Sequence, residues 1–578
     1  MSLARTGPAR IGNCSGFYGD RLSAMREMLT GGELDYLTGD YLAELTMLIL
    51  GKDQLKDASL GYARTFVTQV EDSLGLALEK GVKIVANAGG LNPAGLAERL
   101  TAVSRSLGLE AKVAWVDGDN LAPRAAELGL GNALTANAYL GAFGIARALE
   151  AGADVVVTGR VTDASVVVGP AIAHHGWSRT SCDELAGAVV AGHVIECGTQ
   201  ATGGNFSGFL DLPRTAEPLG FPLAEVAVDG SFVVTKHAGT GGLVSLDTVT
   251  AQLVYEIQTT RYLGPDVTTD LASIELAGDG PDRVRVSGVR GTPPPERLKV
   301  CVNELGGFRN QMEFVITGLD VDAKADWIRT QLDARLAARP PAEVSWSLGT
   351  RPAPDAETEE GASCLLRVTV KDPSMDPVGK PFTAAAVELA LASYPGFTLT
   401  APPGRPSPYG IYRPEYVDRD QVTETVHLPD GTSEVIAPPT ELEAPDAPAP
   451  ELAVATSPDD APTARHPLGT FVHARSGDKG GDANVGLWVG GERDEKRQRR
   501  VDWLLRTITP GHVRLLLPEA AGKPVEVYPL PNLGGVNVLI RGLLGDGVAA
   551  STRFDPQAKA VGEWLRSRVV NIPEELLS

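Results

Sequence analysis

Residues 81–93 read GVKIVANAGGLNP, an apolar run that stops at Asn87, a glycine pair at Gly89 and Gly90, and a helix opening near Pro93. A short apolar run bounded by small polar residues predicts a buried strand, and the periodic stretch behind it predicts a helix. The same unit recurs on both sides. Residues 153–158 (ADVVVT) lead through Gly159-Arg160 into a helix from near Thr162, similar units span 34–40 and 111–120, and a shorter one spans 10–20. Strand and helix alternating in this way predict an α/β fold, with a parallel sheet covered on both faces over residues 8–230. Ligands of such sheets bind beyond the carboxyl ends of the strands, where these polar clusters fall.

From about residue 231 the pattern changes. Residues 232–236 read as a strand, 247–258 as a helix, 312–317 and 365–370 as strands, and 325–338 and 384–393 as helices. That predicts an α+β region over 231–434 and not a continuation of the parallel sheet. Residues 435–466 are rich in Pro, Ala and acidic residues, cannot bury enough apolar surface to fold, and read as a linker. Residues 467–578 then form a smaller α+β domain. A chain of 578 residues is in any case too long for one hydrophobic core.

The net charge of −21 leaves no basic footprint for nucleic acid and opposes an anionic membrane surface. An anionic substrate therefore needs local positive groups or helix N-termini. The N-terminus shows no signal-peptide pattern and no run approaches the roughly 20 apolar residues of a membrane span, so a cytoplasmic protein is expected. The five cysteines are scattered without ligand spacing, which predicts neither a metal site nor disulfides.

The loops at the strand ends hold the candidate chemistry. In residues 12–20, Asn13, Ser15 and Gly16 allow a ligand close to the backbone, but the glycine spacing is not that of a dinucleotide fold. Asp40 and Asp163 are candidate proton-transfer groups, because partial burial raises a carboxyl toward neutrality. Asn87, Gly89 and Gly90 lie on the same edge, Arg160 offers a fork for an anion, and Thr162 can bind substrate or cap a helix. Residues 117–120 (DGDN) belong to the same rim. Segment 193–206 adds Glu196 as a candidate base with His193, Cys197 as a nucleophile only if its thiol is acidified, and Asn205. Residues 237–242 (HAGTGG) place Thr240, Gly241 and Gly242 before a helix, a setting for a phosphate that lacks the P-loop ending. Residues 473–484 (HARSGDKGGDAN) read as a connection longer and more charged than a hairpin needs, with Arg475, Ser476 and Lys479 able to hold an anion. His174-His175, late in a helix, reads as a solvated or dipole-related pair.

Six ordered segments, IGNCSGFYGDR (11–21), YLTGDYLAELTM (36–47), ANAGGLNP (86–93), TGRVTDASVVVGP (158–170), HVIECGTQATGGNF (193–206) and HAGTGGLVS (237–245), together resemble the acyclic terpene utilisation (AtuA-type) family over residues 8–450. The segment around HARSGDKGGDAN resembles the ferredoxin-like domain often joined to it. The resemblance implies bacterial catabolism of citronellol- and geraniol-type compounds as CoA thioesters, beside a biotin-dependent carboxylase. It brings no settled reaction. The expectation that follows is an enzyme acting on a branched or unsaturated acyl-CoA by hydration, elimination or a related lyase step. The site residues would be Asp40, Asn87, Asp163 and Glu196, with coenzyme A thioester as substrate and no bound cofactor. A homo-oligomer is expected, with association with carboxylase subunits as a further partner. Two alternatives stand beside it: a non-catalytic scaffold for a CoA-dependent carboxylase, and a phosphate-ester hydrolase.

Overall fold

Ile84 and Val85 are neighbours on one strand, yet each belongs to a different hydrophobic core. Side chains of a strand alternate between faces, so an unbroken apolar run is what a sheet covered on both sides requires. The computed structural model describes residues 7–443 and 462–577 and shows that sheet. Its strands in chain order are β1 (Ala9–Asn13), β2 (Tyr36–Gly39), β3 (Lys83–Ala86), β4 (Val113–Asp117), β5 (Thr135–Ala138) and β6 (Val155–Thr158). β1, β2, β3, β6 and β4 lie side by side in that order, all parallel. The helices Ala24–Gly31, Arg64–Lys80 and Pro93–Ser106 pack Met25, Phe66 and Leu96 against one face with Val155 and Val157. Those at Phe143–Glu150, Ser165–His175 and Cys182–Ile195 pack Ile145, Val167 and Val190 against the other with Val156. The predicted α/β class is the class observed.

Beyond β1 the sheet continues antiparallel through β7 (Pro222–Val226), β8 (Phe232–Lys236), Val284–Ser287 and Glu275–Gly278. Beyond β4 it continues through Thr425–His427 and Ser433–Val435, so the described residues form one 11-stranded sheet. The change of pattern near residue 231 is thus a change of strand direction within the same sheet for these strands. Hairpin-linked antiparallel strands need no crossover helix, and the helical spacing that marks the parallel half disappears.

Residues 304–411 with 549–554 form a second compact unit. There the later part of strand Arg297–Thr317 pairs with Ser363–Asp372, which pairs in turn with Glu343–Leu348. Helices Val321–Leu336 and Lys380–Val387 contribute Ile328, Leu332 and Phe382 to its core.

The C-terminal region belongs to the first unit. It is a four-stranded antiparallel sheet in the order Val472–Lys479, Asp482–Val489, Gly535–Ile540, Val525–Leu530. Val485, Leu487 and Val489 join a core with helix Glu495–Thr507, whereas Trp488 on the opposite face joins the core of the large sheet. Residues 444–461, the middle of the expected linker, lie outside the described residues. On its flanks Glu443 donates to the Pro294 carbonyl (2.8 Å), and Thr463–Pro467 pairs with Val569–Pro573. No helix among the described residues is long and apolar enough to cross a membrane.

Candidate active site

Each parallel strand ends by delivering a polar residue to one edge. Asn13 closes β1, Asp40 follows β2, Asn87 follows β3, Asp119 lies two residues past β4, and Arg160 two residues past β6. These side chains are buried and hold one another. Asn87 accepts from the Tyr41 amide (2.7 Å) and donates to Asp40 Oδ1 (2.5 Å), which also accepts from the Leu42 amide (3.1 Å). Asn13 donates to the carbonyls of Ser15 (3.0 Å) and Glu196 (3.3 Å), bringing the end of helix Cys182–Ile195 to the strand ends. Asp119 accepts from the Arg160 amide (2.8 Å) and from Asn137 Nδ2 (2.7 Å). The Arg160 guanidinium donates to the Leu42 carbonyl (2.6 Å), pairs with Asp163 Oδ1 (2.9 Å) and lies over the Tyr139 ring.

The result is a trio. Carboxyl oxygens of Asp40, Asp163 and Glu196 all lie within 4.8 Å of one another. Burial raises all three, because a charged carboxylate loses its water. Asp163 is pushed up to about 7, by burial first and then by Asp40 and Glu44, against the pull of Arg160. Glu196 is raised well above the usual carboxyl range by burial and by Asp163 and Asp40, and it shares a hydrogen bond with Asp40. Two carboxyl groups so placed retain a proton between them, since like charges this close resist joint ionisation.

Around the trio stand residues that sequence reading did not select. Glu44 lies 3.8 Å from Lys299, whose ammonium sits over the Tyr139 ring; burial opposes ionisation, but Lys299, Arg160 and Lys479 prevail and hold Glu44 down at about 2. Lys559 reaches Glu256 (3.6 Å) and Asp478 (3.8 Å), and donates to the Tyr255 hydroxyl. Glu44 sits four residues beyond Asp40 in a segment already singled out, so it was within reach of the sequence. Lys299, Glu256 and Lys559 carry no local signal: only the folded chain assembles them.

The C-terminal segment 473–484 is a tight hairpin, not the long connection expected. Lys479 pairs with Asp482 across a two-residue Gly480-Gly481 turn in which Gly480 has φ +66°, the left-handed conformation that hairpin turns of this length require. Its glycines permit close approach: a Cβ on Gly477 would stand 2.5 Å from the Tyr255 ring. Arg475 donates to the Asn205 carbonyl (3.0 Å) and to Gln200, and lies over the Tyr255 ring. Ser476 donates to the Lys559 carbonyl (3.1 Å). Asn484, on strand Asp482–Val489, accepts from the Glu256 amide (2.7 Å), and Asn537 donates to the Gln258 carbonyl (2.6 Å). The polar face of this sheet therefore fixes the loop carrying Tyr255 and Glu256.

The other predicted residues fall as follows. The Ser15 carbonyl accepts from the Asp40 amide (2.9 Å), and a Cβ on Gly16 would stand 2.6 Å from the Cys197 backbone, so both hold the first loop against the trio. Gly89 packs on the Thr158 carbonyl, and Gly90 turns with φ +54° behind Asn87. The Thr162 hydroxyl meets the Ser165 hydroxyl (2.5 Å) at the start of helix Ser165–His175, which has no side-chain cap, so Thr162 does not cap it. Asn205 is exposed in a left-handed turn with φ +56°, and its carbonyl accepts from Arg475. Thr240, Gly241 and Gly242 are not brought to the trio: Gly241 donates to the Pro218 carbonyl (3.0 Å), and Gly242 packs on the Thr202 carbonyl. The Cys197 thiol is pushed well up by burial and by Glu196, the reverse of what a nucleophile needs. His193 is buried and lowered to about 4, so it is neutral. His174 and His175 are buried, not solvated, with His175 Nε2 2.9 Å from the Val226 carbonyl, because their helix is enclosed on all sides.

An all-oxygen trio of this kind is also where a hard cation such as Mg²⁺ would bind, and the residues that could hold one are Asp40, Asp163 and Glu196. The model of the acyclic terpene utilisation family protein AtuA matches residues 9–428, and that of the AtuA ferredoxin-like domain matches residues 466–571. No curated protein and no solved structure matches the chain.

Proposed function

This chain belongs to the acyclic terpene utilisation family AtuA, and from that premise we propose that it is an enzyme acting on a branched or unsaturated acyl-CoA by hydration or the reverse elimination. The observation that supports this reading is the trio Asp40, Asp163 and Glu196, in which burial leaves one carboxyl protonated beside another that is half ionised near neutrality. Such a pair is an acid and a base in one site. In hydration, the Asp163 carboxylate takes a proton from water as the water oxygen bonds to Cβ. The double-bond electrons move onto the thioester as an enolate, and the Glu196 carboxyl then delivers its proton to Cα. Asp163 passes its proton to the neighbouring Asp40, whose hydrogen bond with Glu196 restores the proton there, and the site is reset. Elimination runs the same steps backward.

A scaffold role is less well supported, because gathering three carboxyls, two of them buried, is costly and serves no docking surface. A phosphate-ester hydrolase is less well supported too, since the amide of Gly241 is already spent on Pro218. The test is to incubate the purified chain with branched enoyl-CoA esters and follow water addition by mass. Turnover by the wild type, lost in Asp163→Asn and Glu196→Gln, is expected; equal turnover by all three proteins would sink the assignment.

A further inference from the structure

Five cationic side chains stand at the trio, at Glu44 or at the Tyr255–Glu256 loop, and four are already engaged. Arg160 is paired with Asp163 at 2.9 Å, Lys299 with Glu44 at 3.8 Å and Lys559 with Glu256 at 3.6 Å, while Arg475 is bound to Asn205 and Gln200. Lys479, at the tip of the C-terminal hairpin, has no hydrogen-bond acceptor and no ion-pair partner within 4.0 Å among the described residues. It is only partly exposed, and it lies within electrostatic reach of Tyr262, Glu256, Glu44 and Asp163. The hairpin that carries it is wedged in place: Gly477 meets the Tyr255 ring, Gly480 meets the Tyr412 ring, and Asp478 lies 3.8 Å from Lys559. An ammonium held in such surroundings without an acceptor of its own remains available for a charge-assisted hydrogen bond to an anionic ligand.

We propose that Lys479 is the anion subsite of the active site, supplied by the C-terminal domain, and that it receives an oxyanion of the substrate. This rests on the acyl-thioester reading for its preferred source, the enolate oxygen that develops as the proton reaches or leaves Cα. A free carboxylate on the substrate offers the same chemistry. Of the three anion-holding residues that the hairpin motif offers, Arg475 and Ser476 are spent on holding loops, and Lys479 alone is left to meet a ligand.

The experiment compares the wild type with Lys479→Met, Lys479→Gln and Lys479→Arg in the full-length chain, using 3-methylbut-2-enoyl-CoA and free 3-methylbut-2-enoate as probes. With an enolate at Lys479, the Met and Gln variants lose about 10²–10³-fold in kcat, as when an oxyanion donor is removed, with KM nearly unchanged and part of the loss restored by Arg. If the wild type neither binds nor turns over the thioester, but binds the free acid calorimetrically through Lys479, the anion subsite stands and the acyl-thioester reading falls. If Lys479→Gln, folded by its unfolding curve, handles both probes as the wild type does, the proposal is overturned. It is overturned equally if the wild type binds neither probe.

Discussion

Asp163 is held between two opposing influences. Burial raises its carboxyl, and the Arg160 guanidinium 2.9 Å away lowers it, leaving it at about 7. A base that ionises near 7 and an acid that keeps its proton above that range give a bell-shaped rate profile. Activity should rise with pH through the Asp163 value and fall again as Glu196 ionises, the two limbs belonging to the coupled trio and not to single residues. Asp163→Asn should lower kcat by about 10²–10⁴, the range of a lost general base. Arg160→Gln removes the cation that favours the ionised form, so the acid limb should move to higher pH; a pH–rate profile reads this directly. A limb that stays in place or moves to lower pH would contradict the pairing as the cause of the Asp163 position.

At the scale of elements, the parallel strands act as rails that end at a common edge, and this part was legible from the chain. The apolar runs ending at Asp40, Asn87 and Arg160 placed those residues on one edge before any coordinates, and Asn13 and Glu196 join them through a hydrogen bond. What the chain concealed was pairing. A strand such as β8 carries no mark of which sheet it joins, and Lys299, Glu256 and Lys559 reach the site from elements far apart in sequence. The hairpin 472–489 was misjudged because its charged residues suggested a loop, when Gly480-Gly481 already sufficed for the turn. That hairpin offers a test of how tightly it fixes the site. A Cβ at residue 486 would stand 2.3 Å from Val254 Cγ2, so Gly486→Ala should destabilise the chain by about 1–3 kcal/mol through overpacking. Asn484→Ala should cost about 1–3 kcal/mol by leaving the Glu256 amide without its acceptor. Denaturant unfolding measures both; wild-type midpoints would mean that the C-terminal sheet does not clamp the Tyr255–Glu256 loop.

For the whole molecule, buried acids should set the pH dependence of stability. Asp119 is raised to about 6, Asp163 and Asp478 to about 7, and Glu424 to about 8, each by burial first. Between the unfolded carboxyl range near 4 and these values the folded chain binds more protons than the unfolded chain, so their contribution to stability falls as pH rises. His193, held neutral with its value lowered to about 4, works the other way below about pH 6.5, so unfolding free energy should decline most clearly from about pH 6.5 to pH 8. Glu424 accepts from the Gly144 amide at the start of helix Phe143–Glu150, and Glu424→Gln keeps an acceptor there without the charge. That variant should match the wild type at pH 5 and be the more stable of the two at pH 9; the opposite order would refute the burial of an acid at this position.

The account rests on proton transfer at the Asp40–Asp163–Glu196 trio, which gathers at the ends of strands that the chain itself announces. Its most direct test is solvent-deuterium incorporation at Cα of a branched acyl-CoA, read by mass spectrometry after incubation with the wild type, Asp163→Asn and Glu196→Gln. The account predicts deuterium at Cα with the wild type and none above background with either variant. Deuterium incorporated equally by all three proteins, or by none of them on any branched acyl-CoA, would contradict it.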